Sequence, residues 1–220
     1  MRKIIVIGTG TMAAGIAAGF IAEQYSVVIL GRTLEKADSC LAKGMALSQI
    51  TSSTKAQHQT GLIDTWNAWD NCVWVIETVT ENLAIKQAIF KALDKRVPSG
   101  IPIGSNSSGF PISKIAEGLP TAARMMGAHY FMPADIVPLV EIVMGAKTDQ
   151  ALAEQVCTLY KSIQKKPVLV KRDIPGFLAN RIQHALMREA LALVDAGIAT
   201  PDDIDDAVRY SFGFRYAAVG

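Results

Sequence analysis

The first 22 residues, MRKIIVIGTGTMAAGIAAGFIA, carry no charge between Ile4 and Ala22. Such a run has to be buried, in a lipid bilayer or in a protein core, and its internal pattern decides between them. KIIVIG (3–8) is a continuous β-branched run of strand length, as in a strand buried on both faces of a parallel sheet. Two basic residues ahead of an apolar stretch imitate a signal peptide, but Gly8, Gly10, Gly15 and Gly19 interrupt it. A strand, a tight glycine turn and an Ala-rich helix over 11–24 explain the run better, and SVVILG (26–31) returns as strand. Strand, helix and strand joined through a glycine turn commit the chain to an α/β sheet with parallel pairing.

The remaining segments continue the alternation. TLEKADSCLAKGMAL reads as helix, residues 51–62 as a polar loop, and CVWVIETV (72–79) as strand. ENLAIKQAIFKALDKRV is an amphipathic helix that offers Leu83, Ile85, Ile89, Phe90 and Leu93 to a core. IPIGS is strand, a short helix starts at Ile112, TDQALAEQVCTLYKSIQKK is helix and PVLVK (167–171) is strand. This predicts a doubly wound Rossmann-type sheet with an antiparallel edge over 1–172. An all-helical region starts over 173–220, with one long helix at 177–196 and another begun by TPDDIDDAVRYSF. Thr200 is a good N-cap, Pro201 suits the first helical position, and the acidic residues suit the positive helix end.

Composition removes other classes. Half of the 220 residues are hydrophobic, enough for a real core. A net charge of +2, 19% charged residues and no basic cluster argue against a nucleic-acid partner, and the apolar run is not expected to enter a membrane. Cys40, Cys72 and Cys157 are scattered, odd in number and without metal-ligand spacing, so reduced thiols in a cytoplasmic protein are expected.

Gly8-x-Gly10-x-x-Ala13 joins the first strand to the first helix, where a dinucleotide fingerprint must stand. Gly8 permits the tight turn, Gly10 lets backbone approach a pyrophosphate, and Ala13 lets helix pack close to strand. The helix start at Thr11 and Met12 offers N–H groups and a positive dipole to phosphates. NAD is expected to meet an acid at the end of the second strand, but LGRT places Gly31 there, followed by Arg32 and Thr33. Without the carboxylate a 2′-phosphate meets no repulsion and Arg32 can pair with it, so NAD or NADP is expected with a lean to NADP.

GAHYFMPADIVPLVEIV (127–143) holds a histidine and a glutamate inside two short apolar runs, with Pro133 and Pro138 bracketing a turn. His129 and Glu141 lie six residues either side of Asp135. A symmetric hairpin sets them opposite, Cβ atoms ~5 Å apart, where a carboxylate can fix an imidazole's tautomer. A polar pair serving only structure is the alternative at this point.

VIGTGTMAAGIA, SNSSGF, GAHYFMP…VPLVEIV, RDIPGFLANRI and GIATPDDIDDAV occur in the order found in the 3-hydroxyacyl-CoA dehydrogenase family, which the chain resembles over nearly all its length. SGFPISKI, PLVEIV and FGFRYAAVG are most similar to the branch with lambda-crystallin/L-gulonate dehydrogenase and L-carnitine dehydrogenase. The resemblance implies an oxidoreductase that transfers hydride between NAD(P) and a small 3-hydroxy/3-keto substrate, as in fatty acid metabolism. It makes His129 the acid/base, Glu141 its orienting carboxylate, and Ser108 a hydrogen-bond partner of the substrate oxygen beside the nicotinamide. Asn180 contacts the same region, and Glu81 and Lys86 lie close to the nicotinamide ribose.

Three departures qualify it. Met132 stands where the family commonly has Asn and cannot donate a hydrogen bond. The segment between LGRT and CVWVIE is shorter than in fatty-acyl-CoA dehydrogenases, where a helical pair grips the CoA, which opens the alternative of a free L-gulonate- or carnitine-like hydroxy acid. The family continues past the equivalent of Gly220 through helices that close the cleft and form a homodimer, so the chain is expected to be a part of such a protein, and a non-catalytic dinucleotide-binding module is the remaining alternative. His184, four residues after Asn180, is expected to be a packing histidine, His58 a solvated one, and Trp66, Trp69, Trp74, Met125 and Met126 core. No metal is expected.

Overall fold

The computed structural model of the chain describes residues 1–50 and 57–218. Its sheet begins with β1 (Lys3–Ile7), β2 (Ser26–Gly31), β3 (Gln59–Leu62) and β4 (Cys72–Glu77). The other strands are β5 (Ile103–Ser105), β6 (Met125–Tyr130), β7 (Leu139–Met144) and β8 (Lys166–Val170). Between them lie α1 (Thr11–Ala22), α2 (Leu34–Leu47), α3 (Leu83–Arg96), α4 (Ile112–Ile115) and α5 (Gln150–Ser162). The strand order is β3-β2-β1-β4-β5-β6-β7-β8. All pairings are parallel except β6 with β7. The order reverses at β1, whose neighbours are β2 and β4, and ligands of such sheets bind beyond the strand ends at that reversal.

β1 shows why the opening run is apolar throughout. Ile4 and Val6 enter one core with Phe20 of α1, Trp74 and Tyr160, while Ile5 and Ile7 enter the other with Phe90, Leu93 and Ile103. Successive side chains alternate between faces and both faces are covered, so no position from Ile4 to Ile7 tolerates a charge. Among the described residues no helix is long and apolar enough to cross a membrane.

Several expectations need correction. Of the polar loop expected over 51–62, residues 51–56 lie outside the described residues, while Gln59–Leu62 form β3, which pairs in parallel with β2. The stretch QTGL carries no apolar run because it is the edge strand, with Gly61 under the Trp66 ring. His58 is not solvated: it is 6% exposed and its Nδ1 accepts the N–H of Val27 at 3.2 Å. On α3, Ile85 is exposed and Lys86 is the buried residue, for a reason that lies in the site.

The chain divides into compact units Met1–Phe177 and Leu178–Gly220, later than the expected division after 172. Asp173 is held by the sheet unit, accepting the Ser113 N–H at 2.7 Å, and Phe177 is buried with Val143 and Val170. The second unit holds α6 (Ala179–Asp195), α7 (Pro201–Tyr210) and α8 (Phe212–Arg215). Thr200 caps α7 in a reciprocal capping box with Asp203, and Pro201 begins the helix. His184 is exposed on α6 rather than packed.

Burial lowers the His58 pKa below the ordinary 6.5, because the charged ring loses water. The unfolded chain then binds the proton first as pH falls, so this contribution is complete above 6.5 and is lost on acidification towards the lower folded value. Urea unfolding at a series of pH values is expected to show stability declining below 6.5, with a shallower decline in His58→Gln.

Candidate active site

The antiparallel ladder sets His129 directly opposite Glu141. Their Nδ1 and Oε2 atoms are 2.7 Å apart, and the residues are 3% and 1% exposed. With Glu141 ionised, Nδ1 carries the hydrogen and Nε2 is left as the atom that can take or give a proton. Phe131 and Phe177 flank the imidazole at centroid distances of 4.5 and 5.4 Å, so the pair works in apolar surroundings where its attraction is screened little.

Lys165, at the entry to β8, holds the loop between these two strands. Its Nζ donates to the carbonyls of Ala134 at 2.7 Å, Val137 at 2.8 Å and Asp135 at 3.3 Å. Burial pushes its pKa down from the ordinary 10.5, against the pull of Asp135. On the other side the loop meets α1 at Gly15, where an added Cβ would lie 3.0 Å from the Asp135 nitrogen.

A second constellation lies beyond β4 and β5. Asn106 Oδ1 accepts the N–H of Tyr130 at 2.8 Å and its Nδ2 donates to Thr78 Oγ1 at 3.3 Å, tying three strand ends together beside His129. Glu77 and Lys86, both 0% exposed, form an ion pair at 2.9 Å. Glu77 also accepts from Val79 N at 2.6 Å and Ser105 Oγ at 2.7 Å. This partner is why α3 buries a lysine: the carboxylate stands behind it on the neighbouring strand. Glu81, half-exposed, accepts from the turn that carries Ser108. Its burial is outweighed by bonds from Ser107 and Gly109 and by the Lys86 charge, so its carboxyl is held below the ordinary 4.5.

Where the strand order reverses, a cleft of about 850 Å³ runs between the ends of β1, β2 and β4. Gly8 has φ +120°, and an added Cβ would lie 2.7 Å from the Thr78 carbonyl oxygen. At Gly10 a Cβ would meet nothing within 4 Å, so backbone itself borders the cleft. No side chain caps α1 and no acid sits in its first turn, which leaves the positive helix end to an anion. At Gly31 a Cβ would lie 2.9 Å from the Thr9 methyl and 3.0 Å from the Thr33 carbonyl oxygen. No carboxylate can stand there without moving Thr9. Among the described residues the lining carries Arg32, Lys36 and Lys43 against one acid, Asp64. This lining fits a dinucleotide.

The expected residues therefore fall into groups. Gly8, Gly10, Thr11, Gly31 and Arg32 line the cleft, while Met12 and Ala13 turn towards the core. Neither Glu81 nor Lys86 lines it. Ser108 is exposed on the turn after β5, and Asn180 lies in the first turn of α6, in the second unit. The residues not singled out beforehand are Glu77, Asn106, Ser107 and Lys165. A glutamate ending an apolar strand, as in CVWVIE, was the one visible signal among them. Burial raises the Cys40 and Cys72 thiols to about 11, which makes them poor nucleophiles. Among the described residues no group of His, Cys, Asp and Glu could hold a metal ion.

Comparison with known proteins shows the family. Residues 3–174 match the family model for the 3-hydroxyacyl-CoA dehydrogenase NAD binding domain, and 176–220 the C-terminal domain of the same family. L-carnitine dehydrogenase of Oceanobacillus iheyensis is 33% identical, over 100% of this chain and 74% of its own. The structure of 5-formyl-3-hydroxy-2-methylpyridine 4-carboxylic acid 5-dehydrogenase, an NAD+-dependent dismutase, aligns with a TM-score of 0.85 at 33% identity, covering 100% of this chain and 74% of that one. The (S)-3-hydroxybutyryl-CoA dehydrogenase of Ralstonia eutropha aligns with a TM-score of 0.85 at 28% identity, covering 98% and 78%.

Replacing Lys165 with Met leaves buried carbonyls of the hairpin loop without a donor. Lys165→Met is expected to cost about 2–4 kcal/mol in urea unfolding, and an unchanged midpoint would remove Lys165 from the support of the hairpin.

Proposed function

The chain belongs to the 3-hydroxyacyl-CoA dehydrogenase family of oxidoreductases that act on a CH–OH group with NAD, and from that premise we propose that it interconverts a 3-hydroxy acid, free or as its coenzyme A thioester, with the 3-keto form. The observation that carries this reading is the buried 2.7 Å contact between His129 Nδ1 and Glu141. A module that only bound a dinucleotide would have no need of it. When bound, the dinucleotide supplies the hydride acceptor or donor. Gly8, Gly10 and the start of α1 at Thr11 would hold its pyrophosphate. His129 Nε2 takes the hydroxyl proton in oxidation and returns it in reduction, while Glu141 stabilises the charged ring in between. Ser108 is the hydrogen-bonding partner proposed for the substrate oxygen.

At the adenosine end the absence of an acid at Gly31, together with Arg32, Lys36 and Lys43, favours a 2′-phosphate and hence NADP alongside NAD. A free hydroxy acid is the second reading of the substrate. The similarity to L-carnitine dehydrogenase over the whole chain favours it, as does the short segment between LGRT and CVWVIE.

His129→Gln is expected to lower turnover by roughly 10²–10⁴-fold with NADH affinity kept; wild-type turnover in that variant would remove the acid/base assignment. 3-Hydroxybutyryl-CoA and L-carnitine, assayed side by side, separate the two substrate readings by their kcat/KM. Fluorescence titration at two salt concentrations is expected to give tighter NADPH than NADH binding, weakened by salt and by Arg32→Ala. Equal affinities for the two would remove Arg32 as a 2′-phosphate contact.

A further inference from the structure

We propose that Glu81 is a positioning residue that sets the backbone of the Ser107–Ser108–Gly109 turn, rather than a residue whose main task is to bind the dinucleotide. The proposal rests on the reading of Ser108 as a substrate contact. Glu81 Oε1 accepts from Ser107 Oγ at 2.6 Å, Ser108 N at 3.1 Å and Gly109 N at 3.2 Å. Ser107 Oγ in turn accepts the N–H of Phe110 at 2.9 Å. Three successive N–H groups of the segment between β5 and α4 are thus met by side chains, two by one carboxylate oxygen directly and the third through Ser107.

The other oxygen is held from behind. Lys86 Nζ lies 3.4 Å from Glu81 Oε2, while its remaining donors go to Glu77 at 2.9 and 3.2 Å and to the Val79 carbonyl at 3.4 Å. Glu77, Lys86 and Ser107 are almost fully buried. Desolvating an ammonium and a carboxylate is costly, and an apolar pair of the same volume would stabilise the fold as well or better. What an apolar pair cannot do is fix the direction of a third, half-exposed carboxylate at the rim. The chain Glu77–Lys86–Glu81 does that, and the turn displaying Ser108 follows from it. Asn106, the residue before Ser107, ties the same turn to the strand of His129, so the two halves of the assigned site share one hydrogen-bonded frame.

The test compares Glu81→Ala, Glu81→Gln and Ser107→Ala in the full chain, using amide hydrogen exchange without ligand, NADH titration, and kcat/KM with the substrate that turns over. Exchange at Ser108 and Gly109 is expected to quicken by about tenfold or more in Glu81→Ala, with a similar effect in Ser107→Ala and no further gain in the double variant. NADH affinity is expected to stay within about twofold while kcat/KM falls about tenfold, since the loss acts through the turn. Unchanged exchange at Ser108 and Gly109 overturns the proposal, as does a loss of NADH affinity that accounts for the whole fall in kcat/KM. If Ser108→Ala turns over at the wild-type rate while Glu81→Ala still loosens the turn, the assignment of Ser108 fails and the hold of Glu81 on the turn stands.

Discussion

Everything around the candidate site depends on one reversal of chain direction. In a parallel sheet, consecutive strands need a crossover, and residues twelve apart in sequence never face each other. Between β6 and β7 the chain turns back instead, and the ladder brings His129 and Glu141 into register. β7 and β8 consequently both start at the edge where β1, β4 and β5 end. The loop entering β7 and the residue entering β8 meet there, which is how Lys165 comes to hold Ala134 and Val137. A buried histidine–glutamate pair is brought into this sheet by inverting two strands, while the glycine turn after β1 keeps its parallel surroundings.

Apart from Arg124, which precedes β6 at the opposite edge, the buried charges among the described residues lie along that edge, and each has a directional purpose. Glu77 faces Lys86, Glu141 faces His129, and Lys165 faces three carbonyls. Neither ion pair improves on an apolar core as a source of stability. Each fixes the orientation of something beyond itself: the Glu81 carboxylate, the imidazole, the hairpin loop. The body of the sheet, by contrast, is held by Ile, Val, Phe and Trp on both faces, where exchange among apolar side chains of similar volume is tolerated.

The sequence revealed what depends on periodicity and local turn chemistry. The uncharged run of β1 and α1, the hairpin about Asp135, and the cap formed by Thr200 and Pro201 are all local patterns, and the structure has them where they were expected. What it concealed depends on partners distant along the chain. QTGL has no strand pattern because an edge strand needs only one neighbour, and β2 supplies it. His58 resembles any loop histidine until Val27 donates to it. Ile85, expected in the core, is exposed at the cleft, and Lys86 is buried on α3 because a carboxylate stands behind it. Helical periodicity counts side chains as apolar or polar and cannot see a counter-charge on a neighbouring strand. The site was legible as residue types, whereas its supporting frame was not.

The two ends of the strand order bear on how the molecule behaves in company. An unpaired strand edge is a template on which another chain can assemble. β3 limits the hazard by being only four residues long. β8 is longer and directs the Lys166 N–H towards β7, to the Pro138 carbonyl. The next residue is Pro167, and successive N–H groups alternate in direction, so the missing donor falls on the side turned away from β7. A strand arriving from another molecule would find one fewer N–H to pair with there, beside a lysine it would have to desolvate. The strand whose preceding residue steadies the hairpin is therefore also built to resist growth of the sheet into an aggregate.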